Sequence, residues 1–315
     1  MSASVVAAAA PDPSPTPQAV GHGVWLLSGG IPPDREPDGN TVVFAVPDGL
    51  VVMDTGRHPW HRQAILDLAG QQHRKIVAIV NSHWHLDHVS GNPALRAAFP
   101  KLRVYASDAI DTALTGFLAN SARQNPQYAA DPSLPASLRE DIRADTETIR
   151  NGNALKPDES ITASRSLRLG GHRFDVHLAR HAATDGDVWL FDSKSGVAAT
   201  GDLVTLPAPF LDTACPAGWK AALAEVAAVP FKLAVPGHGP SLTQAQFDLY
   251  RQAFERFIAC ADSSLEKGAC GSQWADDVKP LLAPDGHEAA RATSMATYYV
   301  EMLRANGGKS KYCTQ

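Results

Sequence analysis

No cluster of lysine and arginine occurs in the 315 residues, and the formal net charge is −5. Proteins that process nucleic acid need a basic track for phosphates, so nucleic acid is not expected as a partner. No apolar run reaches the roughly eighteen residues needed to cross a bilayer, so no segment reads as a membrane span. Internal repeats are absent. Cysteine is scarce: Cys215, Cys260, Cys270 and Cys313 all lie in the C-terminal third, none in CxxC spacing. None falls in a recognised motif, and their placement suits a disulfide framework with three connectivities. The preferred pairing is Cys260–Cys270 closing a short loop, with Cys215–Cys313 tying down the tail. Buried free thiols in a cytosolic enzyme are the alternative.

What is present is otherwise ordinary. The apolar share of 44% and charged share of 19% are those of a soluble globular protein. The length suffices for one large domain or two small ones. Residues 1–20 hold Val5-Val6-Ala7-Ala8-Ala9-Ala10 and then a Pro/Ser-rich stretch, without a basic start and with a short apolar run. They read as a disordered leader or signal remnant ahead of one folded domain over 21–315. With the cysteines, this favours a periplasmic or secreted location over a cytoplasmic one.

The chain is organised around His83-Trp84-His85-Leu86-Asp87-His88. It follows the apolar, β-branched run Lys75–Val80, which reads as a buried strand, so the histidines fall on the loop at the strand's C-terminal end. On a helix, His83 and His85 would point about 200° apart; on a tight loop they can converge. Imidazoles and a carboxylate are a donor set for zinc, with iron or manganese as alternatives. A single HxH is more often a solvated turn, but HxHxDH is dense for a chain with twelve histidines.

This hexapeptide resembles the second motif of the metallo-β-lactamase superfamily. Val51-Val52-Met53-Asp54-Thr55-Gly56 is similar to its strand-terminal aspartate motif, Ala199-Thr200-Gly201-Asp202 to its bridging aspartate, and Val235-Pro236-Gly237-His238-Gly239 to its last histidine motif. Four motifs in the right order identify the chain as a member. The resemblance implies an α/β fold, a four-layer αββα sandwich of two mixed β-sheets with outer helices. It implies His83 and His85 on a first metal, Asp87, His88 and His238 on a second, and Asp202 bridging. One motif departs. The superfamily places a histidine just before a Thr-x-Gly-Asp-like turn, whereas Ala183 precedes Thr184-Asp185-Gly186-Asp187 here. Either His181, two residues earlier, reaches the first metal, or that site lacks its third histidine and His181 is solvated. Asp87 and Asp54 are the candidate catalytic carboxylates: Asp87 to orient the nucleophile or carry its proton, Asp54 to hold the metal loop through hydrogen bonds.

Around these motifs the pattern predicts strands over 23–27, 40–46 and 49–53, a helix over 59–71 and a short helix over 92–99. His58, His61 and His73 are expected to be solvated. Residues 107–159 read as a helical insertion, interrupted at Asn125-Pro126 and Asp131-Pro132; the resemblance implies that it covers the cleft, with Phe117 and Tyr128 as candidate substrate contacts, although core packing is the commoner role for such side chains. Strands over 161–169, 173–179, 188–191 and 196–200 follow, with His177 packed in mid-strand. The proline-rich stretch 203–216 reads as a cleft wall with Phe210 and Trp219 facing substrate. A helix over 217–229, a strand over 231–235 and closing helices over 243–260 and 288–305 complete the chain.

The implied chemistry is hydrolysis: one or two cations lower the pKa of a bound water and supply hydroxide near neutral pH. Zn2+ is the expected metal, and a small ester, thioester, lactone or amide the expected substrate. Aspartate at position 202, in place of cysteine or serine, looks like the glyoxalase-II, lactonase and sulfur-metabolism branches. Residues 201–216 and 181–187 resemble the exported zinc metallohydrolases of quinoprotein relay systems, related to the sulfur-oxidation branch. The alternatives are a mononuclear iron enzyme of the persulfide-dioxygenase kind, a β-lactamase, and a non-catalytic member that binds a metal or a partner redox protein. Oligomeric state is not indicated.

Overall fold

The computed structural model describes residues 14–32, 34–283 and 287–313, so most of the expected leader lies outside the described residues. The remainder of that leader is already part of the fold, because β1 (Gln18–Gly21) pairs antiparallel with β2 (Val24–Leu27). From β2 the chain continues antiparallel into β3 (Thr41–Val46) and, through the turn at Pro47-Asp48, β4 (Gly49–Met53). β4 is buried along its whole length, which is why Leu50-Val51-Val52-Met53 is continuously apolar rather than alternating.

Crossover connections then add parallel strands. α1 (Pro59–Gln71) opens with Pro59 in its first turn, where the missing N–H costs nothing, and leads to β5 (Ile76–Val80). After α2 (Leu86–Val89) and α3 (Asn92–Ala98) comes β6 (Arg103–Ala106). The insertion follows as α4 (Ala109–Thr115), α5 (Phe117–Ala130) and α6 (Ala136–Arg150), ending at β7 (Glu159–Ser160). The expected break at Asn125-Pro126 is not made. α5 runs through Pro126, which is exposed.

The second sheet is β8 (Arg165–Leu169), β9 (His172–Ala179), β10 (Asp187–Asp192) and β11 (Val197–Thr205), antiparallel throughout. α7 (Pro216–Ala227) returns the chain to β12 (Leu233–His238), parallel to β11. α8 (Gln244–Ala261), α9 (Lys267–Val278) and α10 (His287–Ala305) close the molecule. Thr243 caps α8 in a capping box with Gln246. α9 was not anticipated; its two glycines weaken its helical signal. Gly271 is there because a Cβ would lie 2.1 Å from Thr297 Oγ1 on α10.

The result is two mixed sheets, ordered β1 to β7 and β12-β11-β10-β9-β8, flanked by helices. One core lies between the sheets, where Phe44 packs edge-on against Phe174. A second buries α1 and α3 on the outer face of the first sheet, and a third buries α7 to α10 on the outer face of the second. Four side chains differ from expectation. Trp219 is fully buried in the third core with Nε1 donating to Leu203 O, so it does not face substrate. Tyr128 is 52% exposed on α5. His58 and His61 are buried rather than solvated, because polar partners distant in sequence close over them.

Candidate metal centre

Parallel strands end together, and the ends of β4, β5, β11 and β12 bring the motifs to one edge of the sandwich. His83 and His85 lie on the loop after β5, and Asp87 and His88 on α2, so four donors come from one short excursion of the chain. Asp202 lies within β11, where the register against β12 is irregular, and His238 is the last residue of β12. β11 was expected to stop at Thr200; its continuation carries Asp202 to the centre.

Two groups of donors form. Asp87 Oδ2 lies 3.0 Å from His238 Nε2 and 3.5 Å from His88 Nε2, and the two nitrogens are 3.3 Å apart. Asp202 Oδ1 completes this group at 3.2 Å from His88 Nε2 and 3.7 Å from His238 Nε2. Asp202 Oδ2 turns to the other group, 3.5 Å from His83 Nε2 and 3.9 Å from His85 Nδ1. Ligands about 2.0–2.2 Å from a tetrahedral ion stand about 3.3–3.6 Å apart. The donor spacing therefore fits a cation, and His83 Nε2 and Asp202 Oδ1 are buried without a hydrogen-bond partner.

Hydrogen bonds behind the donors set the imidazole tautomers. Asp54 accepts from Ser82 N at 2.7 Å and Ser82 Oγ at 2.6 Å, and its Oδ2 also accepts from His88 Nδ1 at 2.9 Å. Since the Ser82 hydroxyl donates to Asp54, it accepts from His83 Nδ1 at 2.8 Å. Thr213 Oγ1 donates to Ala183 O at 2.8 Å and so accepts from His85 Nε2 at 3.1 Å. In all three histidines the remaining nitrogen is the one that faces the centre. Burial, then the neighbouring His88 and His85, push His83 well below the usual imidazole pKa. Burial also opposes charge on His88, but Asp202, Asp87 and Asp54 outweigh it and raise its pKa well above the ordinary value. Asp87 is depressed despite burial by His88, His238 and Arg57.

Two glycines make the space. A Cβ on Gly237 would stand 1.9 Å from Asp202 Oδ1, and one on Gly39 would stand 2.4 Å from the His88 ring. Asn40 holds the β12 end in place, with Nδ2 donating to Pro236 O and Gly239 O at 2.9 Å each.

Residues 35–241 match the model of the metallo-beta-lactamase superfamily. The chain belongs to that superfamily. Solved structures agree on the fold. A metallo-beta-lactamase from Pontibacter korlensis is 18% identical and covers 76% of this chain and 99% of its own, with a TM-score of 0.56. The FIM-1 enzyme of Pseudomonas aeruginosa in its mono-zinc form is 21% identical over 77% of this chain and 95% of its own, with a TM-score of 0.54. A curated relative, an atrochrysone carboxyl ACP thioesterase of Aspergillus fumigatus, is 34% identical over 83 residues. That match covers 25% of this chain and 26% of the relative, so the chain spans about a quarter of that protein's length.

Within this superfamily member, six of the seven expected ligands converge and His181 does not. Its side chain is one-third exposed and pairs with Asp185 at 3.3 Å. Cys215 lies beside them but is held in the Cys215–Cys313 disulfide, which leaves no thiolate for a further metal. Ala183 is buried at the position where the resemblance leads a histidine to be expected. Sequence reasoning missed Ser82, Thr213, Asn40 and Arg57. Arg57, its side chain 11% exposed, is ion-paired with Asp145 and approaches Asp87 Oδ1 at 3.8 Å. The centre opens into a cavity of about 330 Å³ walled by Trp84, Phe117, Ile149, Phe210 and Met295, with Arg57 and Arg291 as its cations. Phe210 lines the cavity from the stretch read as its wall, and Phe117 lines it while also packing against the core of the insertion.

Proposed function

We propose that the protein is an exported zinc hydrolase of a small ester or thioester, with lactones and amides as related substrates. The observation that supports this most is the pair of donor groups sharing Asp202, spaced as ligands of one ion would be. Asp87, His88, His238 and Asp202 would hold the tighter ion; His83, His85 and Asp202 offer a second place with only three donors. A bound ion would supply Lewis acidity and water of lowered pKa. The chain's own residues do the rest. Asp54, through Ser82, and Thr213 keep three imidazoles in the ligating tautomer, and Arg57 steadies the Asp87 carboxylate, which would orient the attacking water. The aromatic walls exclude bulk water and seat an acyl chain.

The thioesterase named among the relatives supports an acyl compound as substrate, and the two disulfides support export. Membership of the quinoprotein relay branch, with a redox protein nearby, is the finer placement we favour. Metal analysis with turnover on a panel of thioesters, esters, lactones and nitrocefin tests the reading. Expected are one tightly held zinc per chain, hydrolysis of at least one acyl compound and its loss on chelation. A fully metallated protein inert on every member of the panel would overturn it, and iron with oxygen uptake on a persulfide would replace it.

A further inference from the structure

Charge in the cleft is unevenly spent. Arg57 is surrounded: Asp145 pairs with it, Asp87 Oδ1 stands at 3.8 Å and Glu36 at 4.0 Å. Arg291 lines the same cavity from α10, with Met295 one turn further along the same helix. Among the described residues its guanidinium has no ion pair or hydrogen bond, and Glu36 is the carboxylate that acts on it, from a distance. Arg291 is an exposed residue whose side chain lines the cavity; desolvation lowers its pKa and Glu36 opposes this, so the guanidinium is open to an incoming anion. The rest of the wall is largely apolar, and the volume, about 330 Å³, lies at the small-ligand end of binding sites. α10 also lies beyond residues 35–241, so this cation belongs to the chain's own C-terminal elaboration and not to the part matched by the superfamily.

We infer that Arg291 is a specificity residue: it receives a carboxylate at the far end of an apolar acyl substrate whose carbonyl lies at the metal centre. The planar guanidinium fork suits a carboxylate, and a terminal anion pinned there would fix how deep the acyl chain enters. This rests on the hydrolase reading and narrows it to half-esters or half-thioesters of dicarboxylic acids.

The test has two arms. In the first, the S-phenyl half-thioester of adipic acid and its methyl-capped form are compared as substrates of the wild type, Arg291→Gln and Arg291→Lys. The wild type should favour the free acid about tenfold in kcat/KM, mainly through KM. Arg291→Gln should erase the preference while leaving the capped substrate within about twofold, and Arg291→Lys should restore part of it. In the second arm, hexanoate, hexyl phosphate and 1-hexanol are titrated calorimetrically into chelator-stripped protein. Hexanoate should bind more tightly than hexanol, and Arg291→Gln should remove that margin. Equal effects of Arg291→Gln on charged and uncharged compounds, or none, would overturn the assignment, and tighter hexyl phosphate would overturn the choice of carboxylate. An intact binding margin without turnover of either thioester would remove the hydrolase reading and leave the anion site standing.

Discussion

Ser82 touches no substrate and yet decides how the centre is built. One hydroxyl links Asp54 to His83, and the same Asp54 oxygen holds His88, so a single carboxylate sets the tautomers of one imidazole in each donor group. Removing such a partner leaves the ligand atoms in place but lets the rings turn, which commonly costs tenfold to a hundredfold in metal affinity. Ser82→Ala and Asp54→Asn are therefore expected to weaken metal binding by about 10–100-fold in chelator competition, with the folded circular dichroism spectrum retained. His181→Ala should leave both metal content and affinity unchanged; loss of a bound metal in that variant would restore His181 to the ligand set. The contrast shows what the sequence discloses at this scale. Ligands cluster in short motifs because one loop must deliver several of them, so HxHxDH was legible. Their supports come from anywhere in the chain: Thr213 reaches His85 across 128 residues. Ser, Thr and Asn carry no distinguishing mark until the fold brings them in.

At the scale of elements, the insertion is fastened to the sandwich by α6. Asp141 and Asp145 stand one turn apart on it and meet His58 and Arg57, which follow β4. His58 Nδ1 lies 2.7 Å from Asp38 Oδ2, and its Nε2 3.2 Å from Asp141 Oδ2. Burial works against a charge there, but the two carboxylates prevail and raise the imidazole pKa to about 9. The folded chain then holds this proton more tightly than the unfolded one. The stabilisation is complete below the ordinary value near 6.5 and is lost as pH rises through about 9. Thermal melts of the wild type and His58→Gln over pH 6–10 check this. The variant should be less stable by about 1.5–3 kcal/mol at pH 6, with the gap closing by pH 10. A gap that stays constant with pH would mean that His58 acts by packing alone. The amphipathic period makes the helices of the insertion legible; the latch is not, because its histidine and carboxylates lie far apart in sequence and each alone reads as a solvated charge.

The whole molecule is bounded by its two disulfides, and they differ in what they enclose. Cys260–Cys270 joins α8 to α9 across a separation of 10 residues, whereas Cys215–Cys313 spans 98 and ties the N-terminus of α7 to the end of the chain. In the chain-entropy picture a closed loop of about 100 residues is worth about 4.7 kcal/mol and one of about ten roughly 2.7 kcal/mol, so the long bridge should dominate. It also bears on the cleft. The bridged tail sets the Tyr312 ring 5.2 Å from Phe117, a cavity wall, while Ser310 N donates to Ala214 O at 3.1 Å beside the Thr213 that supports His85. Replacing Cys215 and Cys313 together by serine is thus expected to lower the denaturant midpoint more than the same change at Cys260 and Cys270. It should also raise KM for the proposed acyl substrate, since Phe117 loses its backing, with metal content preserved because none of the proposed ligands is touched. Equal midpoints in the two double variants would show that the long loop is already constrained without its bridge, by the packing of α10 against α9. A falling metal content would instead show that the tail holds the metal loop, through Thr213, and not only the cavity wall.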